Sequence, residues 1–168
     1  MAAGSTYEPI ATATVSGTST NLVSFTSIPS TYTDLICIVN SSKTAGSIVN
    51  IYIRYNNDSG YNYSCTFMYG DGTSALSGRQ TTSNQIANMV GDQGTDLSTT
   101  IINTMNYANT TAYKTTLSRY NSNQTGDVVM AGVGLWQSTA AINRADILLL
   151  SNYFSAGSTM TLYGIAAA

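Results

Sequence analysis

Histidine is absent from the 168 residues, so the chain can build no Ser-His-Asp or Cys-His constellation and no His-containing metal site. Charge is nearly as scarce. Eight acids and six Lys/Arg make 8% of the chain, where about 25% is usual, and the net charge is −2. That balance leaves no clustered basic footprint for nucleic acid. One Glu and two Lys are too few to coat exposed helices, which excludes a helical bundle. Both prolines lie early, at Pro9 and Pro29, and no linker-like tract follows them. The longest strongly apolar run, Ile147 to Leu150, is far short of the ~20 residues that cross a bilayer as a helix, so no membrane partner is expected. Met1-Ala2-Ala3-Gly4-Ser5-Thr6 has neither a basic region nor an apolar stretch, so the expectation is a protein made in the cytoplasm without a secretory signal. Cys37 and Cys65 each sit in a strand-like run and read as two buried thiols; a disulfide would need a geometry that sequence does not specify.

What is abundant is Ser and Thr, 46 together, with 15 Asn, 14 Gly and 12 Tyr. These are residues of turns and half-buried strands. Apolar and polar positions alternate with period two in run after run. Ala11, Ala13 and Val15 share a face, as do Val23 and Phe25. Residues 32–39 are apolar on both faces, which predicts a central strand covered from both sides. Val49, Ile51, Ile53 and Tyr55 face one way, with Asn50, Tyr52 and Arg54 opposite. Strands follow at Tyr63 to Tyr69, at 99–107 with Ile101, Asn103, Met105 and Tyr107 on one face, at Tyr113 to Tyr120, and at Val128 to Trp136. Ile147 to Leu150 and Thr159 to Ile165 complete the set. The span from Thr73 to Gly94 carries no clear period and admits a loop, a short strand or a helical turn; Ser138 to Asn143 fits one turn of helix. Nine or ten strands at 8–14-residue spacing predict an all-β fold, an antiparallel β-sandwich of jelly-roll type without substantial helix. At 17.7 kDa this is one domain, spanning residues 10–168 behind a flexible arm over residues 1–9.

Candidate chemistry is sparse. Asp58 and Asp71 lie in successive turns, and Asp92 and Asp96 share a Gly-rich loop, but neither loop has the spacing of a calcium loop, and turn capping explains them. No pair of acids is singled out for acid–base catalysis and no nucleophile motif exists, so neither enzyme activity, nor a cofactor, nor a metal is expected. The block from Tyr55 to Tyr69 offers Tyr55, Asn57, Asp58, Tyr61, Tyr63 and Tyr69 as candidate contacts, either to a glycan, by stacking and amide hydrogen bonds, or to another subunit. A sheet face or subunit contact is the plainer reading of these tyrosines. The exterior is the larger anomaly. Interface cores are poor in Lys, Glu and Asp and rich in Tyr and Met, so an exterior this short of charge predicts coverage by other copies or other proteins.

Several stretches carry a resemblance together. They are the run from Phe25 to Leu35, the block from Arg54 to Ser64, Met68-Tyr69-Gly70-Asp71-Gly72, the run from Gly134 to Ile142, and Leu162-Tyr163-Gly164-Ile165. In this order they resemble a family of small virion structural proteins of tailed bacteriophages, over about residues 10 to 165. The resemblance implies a jelly-roll-like sandwich assembled as a homotrimer and carries over no catalytic residue. Its members include tail fibre and head decoration proteins. A compact domain behind a short arm suits a capsid decoration (cement) protein on the virion surface, with itself and the major capsid protein or other virion proteins as partners. A tail fibre or receptor-binding tip that recognises a host surface glycan is the alternative.

Overall fold

The computed structural model describes residues 6–46, 49–86, 92, 93, 95–122 and 128–166. The described residues form twelve strands and no helix. In chain order these are β1 (Tyr7–Thr14), β2 (Leu22–Phe25), β3 (Asp34–Ser41), β4 (Val49–Tyr55), β5 (Tyr63–Gly70), β6 (Ala75–Ser83), β7 (Asp92–Gln93), β8 (Ser98–Met105), β9 (Lys114–Ser122), β10 (Val128–Trp136), β11 (Ala145–Leu149) and β12 (Thr159–Ile165). All pairings are antiparallel. One sheet has eight strands in the order β1-β12-β3-β8-β9-β10-β5-β6, and the other has four in the order β2-β11-β4-β7.

Without the hairpins β5–β6 and β9–β10, the two sheets read β1-β12-β3-β8 and β2-β11-β4-β7. The chain then crosses between sheets as a jelly roll does, so the expected fold is present. The two hairpins are insertions that pair with each other through β10 and β5 and widen the first sheet to eight strands.

The core lies between the sheets. Leu35, Cys37 and Val39 of β3, Ile102 of β8 and Met160 and Leu162 of β12 face Val23, Phe25, Ile51, Ile53, Ile147 and Leu149 of the smaller sheet. Trp136, Tyr55 and Tyr63 close one end, with the Trp136 ring 5.7 Å from that of Tyr55 and 6.2 Å from that of Tyr63. The hydroxyl of Tyr55 is held between Thr104 Oγ1 and Thr116 Oγ1, 2.7 Å from each. Two lysines are buried with their ammonium groups donating to loop carbonyls: Lys43 to Ala45 and Gly46 (2.6 and 2.5 Å), and Lys114 to Ala112 and Thr139 (2.7 and 3.2 Å). Desolvation lowers the Lys114 pKa. At Gly164 the Tyr32 ring lies so close that an added Cβ would come within 2.3 Å of it, and the Tyr32 hydroxyl reaches Glu8 Oε2 at 3.1 Å.

Four expectations change. The strand β1 begins at Tyr7, which pairs with Ile165, so residues 7–9 of the expected arm belong to the sheet; residues 1–5 lie outside the described residues. The patternless span holds β6, nine residues long, plus β7 and an Ile53–Ile86 bridge; residues 87–91 and 94 are not among those described. The segment from Ser138 to Asn143 is not helical. Asn56 holds it, with Nδ2 donating to Ala141 O and Oδ1 accepting from the Asn143 and Arg144 amides. Finally, β3 is central in its sheet but covered by a second layer on one face only.

Candidate functional site

The Tyr55–Tyr69 block folds as β4, a loop with Asn56 and Asn57 in the left-handed region (φ 51° and 55°), and β5. Asparagine tolerates that conformation, which is why the turn falls where the two adjacent asparagines stand. The loop then organises around Asp58. Its carboxylate accepts from Trp136 Nε1 (2.7 Å), the Gly60 amide (2.8 Å) and Asn62 Nδ2 (3.0 Å). Partial burial works against ionisation, but these hydrogen bonds and the Arg54 charge outweigh it and hold the carboxyl below its ordinary range. The Tyr63 hydroxyl donates to the carbonyls of Asp58 and Tyr55 and accepts from the Tyr55 amide. Burial pushes the Tyr55 phenol up to about 12 and raises that of Tyr63 as well.

The six candidate contacts are therefore not one surface. Tyr55 and Tyr63 are fully buried core residues, and Asp58 is committed to Trp136 and its own loop. Tyr69 is half-buried six residues along β5 from Tyr63, about 20 Å away, with its ring stacked 6.3 Å from Phe67. Asn57 and Tyr61 stay exposed, Tyr61 at 70%. Asp71 caps its own hairpin turn: Oδ1 accepts from the Ser74 and Thr73 amides and the Thr73 hydroxyl, and these bonds lower its pKa. Asp96 lies in an exposed loop, and the Asp92 side chain is outside the described residues. No group of three or more metal-ligating side chains occurs among the described residues. Cys37 and Cys65 are buried and not joined in a disulfide; their strands lie four spacings apart, about 19 Å, and burial pushes Cys37 up to about 12.

The feature that sequence reasoning did not place is the outer face of the eight-stranded sheet. Register fixes its rows. One runs Thr161, Ile38, Ile101, Arg119, Ala131, Met68, Ser77 across seven strands, and its neighbour runs Tyr163, Ile36, Asn103, Leu117, Val133, Thr66, Arg79. Met68, Val129 and Val133 are 65%, 61% and 47% exposed there. Ile36 is buried without belonging to the core between the sheets. Hollows of about 610 and 480 Å³ adjoin on this face, sharing Met68, Ser77 and Ala131. The charged outward positions between β12 and β6 are Arg79, Arg119 and, at the start of β3 in register with Ile165, Asp34. The signal in the sequence was the two-sided apolar run of β3 and the Ile101–Met105 alternation; which side met the second sheet depended on topology.

The sequence matches no protein-family model, and no curated protein is significantly similar to it. Fold and surface together define a jelly-roll sandwich with an extended outer sheet face that exposes several apolar side chains. No helix among the described residues is long and apolar enough to cross a membrane.

Proposed function

We propose that this chain is a bacteriophage virion structural protein, a capsid decoration (cement) protein that binds the outer shell as a homotrimer and stabilises it. The observation that carries the reading is the apolar outer sheet face, in a chain where only 8% of residues are charged. An apolar patch of this extent marks an interaction surface. The resemblance over residues 10 to 165 supplies the virion setting. A rigid trimer that touches three shell subunits gains from effective concentration, so weak contacts tie the shell together against internal pressure. The glycan-binding alternative has less to stand on, because burial of Tyr55 and Tyr63 removes two of the four aromatic platforms it needs. Heating complete particles and particles lacking this chain tests the role. Particles without it release DNA at lower temperature; equal heat resistance overturns the proposal.

A further inference from the structure

We infer that the open edge of β6 is a self-association site, where β6 of a second copy pairs antiparallel about a two-fold axis at Gly78 and joins the two eight-stranded sheets into one. The inference goes beyond the homotrimer of the preceding section, which a two-fold contact cannot build.

The edges of the two sheets are unequal. A sheet edge offers unpaired N–H and C=O groups to any extended strand, and proteins block such edges with proline, bulges, lysine or short strands. Strand β1 carries Pro9 and a register shift between Pro9 and Ala11. Strand β2 is four residues long and β7 two. From Ala75 to Gln80, β6 has none of these devices. It holds neither proline nor lysine there, and its register with β5 is unbroken from Gly70–Ala75 to Cys65–Gln80. Among the described residues β5 is its one neighbouring strand. A head-to-tail pairing would need a second open edge, and none of the other three is one. The strand of this chain that fits β6 is therefore β6 itself.

The hairpin turn fixes which backbone groups face outward. The Asp71 amide donates to Ser74 O (3.2 Å), so Asp71 and Ser74 form a hydrogen-bonded pair, and bonding alternates from there along the ladder. Leu76, Gly78 and Gln80 bond to β5, while Ala75, Ser77 and Arg79 direct their N–H and C=O groups to the open side. Setting Ser77 against Arg79 of the second copy closes a hydrogen-bonded pair on each side of the axis. This register also keeps Arg79, the single charge of the strand, from facing its own mate. On the axis Gly78 meets Gly78, and a glycine within a strand often marks the close approach of another backbone. The space above that glycine is filled by Phe67, whose ring tip an added Cβ would meet at 2.6 Å. The ring is half-buried in the single subunit, and the two-fold axis brings it beside its symmetry mate. Leu76, 49% exposed on the same sheet face as Phe67, comes opposite Gln80 of the partner.

Cysteine pairing tests contact and register together. The Ser77–Arg79 pair places its Cα atoms about 5.5 Å apart, within reach of a disulfide, whereas two copies of Ser77, or of Arg79, lie on the diagonal at about 7–8 Å. Both side chains are exposed, and the native Cys37 and Cys65 are buried. Under mild oxidation an equimolar mixture of Ser77→Cys and Arg79→Cys chains gives a cross-linked 1:1 dimer, and either variant alone gives little. A mixture that cross-links no better than its components overturns the inference. Sedimentation velocity at high micromolar concentration is the second readout. The wild type runs as an even number of 17.7 kDa copies, a dimer or, with three-fold association as well, a hexamer. Ser77→Pro removes an outward N–H without touching the β5 ladder and halves that mass. Ser77→Lys sets a like charge opposite Arg79 on each side of the axis and weakens the association about 10-fold. Circular dichroism should show both variants folded, and two folded variants that keep the wild-type association overturn the edge pairing. A wild type that stops at a trimer overturns it too and leaves the homotrimer standing. A dimer supports the edge pairing and refutes the homotrimer, and a monomer refutes both.

Discussion

Replacing Asp58 by alanine tests the organisation of the Tyr-rich loop. The substitution removes the acceptor of the Trp136 indole N–H, whose residue is 2% exposed, along with those of Asn62 Nδ2 and the Gly60 amide. A hydrogen bond to a charged group is worth about 1.5–3 kcal/mol when its buried partner is left unsatisfied, and the weaker loop bonds add about 1 kcal/mol. The expected loss is about 3 kcal/mol. Asp58→Asn keeps one acceptor oxygen for Trp136 and should lose about 1 kcal/mol. Urea unfolding at fixed protein concentration, followed by emission from the single tryptophan, reads both, with an unchanged slope. The pH dependence has a definite sign. The folded pKa of Asp58 lies below its ordinary value of 3.8, so this contribution is complete above that pH and is lost as pH falls through the folded value. An Asp58→Ala variant within about 0.5 kcal/mol of wild type would refute the assigned role of this carboxylate.

Tyr55→Phe removes the hydroxyl shared by Thr104 and Thr116 and leaves both inside the core short of a partner; a loss of about 2 kcal/mol in the same urea assay is expected. Gly164→Ala drives a methyl group into the Tyr32 ring and should cost about 1–3 kcal/mol by thermal or urea unfolding, with Tyr32 displaced from Glu8. Neither Cys37 nor Cys65 should react with a thiol reagent at neutral pH until the chain is unfolded, and a reducing agent should leave stability unchanged.

How much of this was legible in the sequence depends on where period two survives. Val49–Tyr55 alternates cleanly because one side of β4 meets the core and the other does not, and its strand is where the pattern puts it. Strand β6 shows no clear period because Ala75, Leu76, Ser77, Arg79, Thr81 and Thr82 are all exposed, and an edge strand open on most of its surface has no reason to alternate. Tyr107 continues the 101–105 alternation in sequence, yet Asn106 takes a positive φ of 50° and turns Tyr107 into the interior, where its hydroxyl donates to Pro29 O. The Tyr-rich block reads as a surface motif because tyrosine suits both interfaces and strand interiors. Deciding between them needs the Asp58–Trp136 hydrogen bond, formed between residues 78 positions apart. The outer face was hidden for a similar reason: its rows join seven strands whose order the chain does not follow.

Electron microscopy of virions labelled with antibody against this chain tests the decoration role most directly. Label distributed over the capsid exterior at regularly repeated positions is the expected result. Label confined to the tail, with a bare shell, would contradict it.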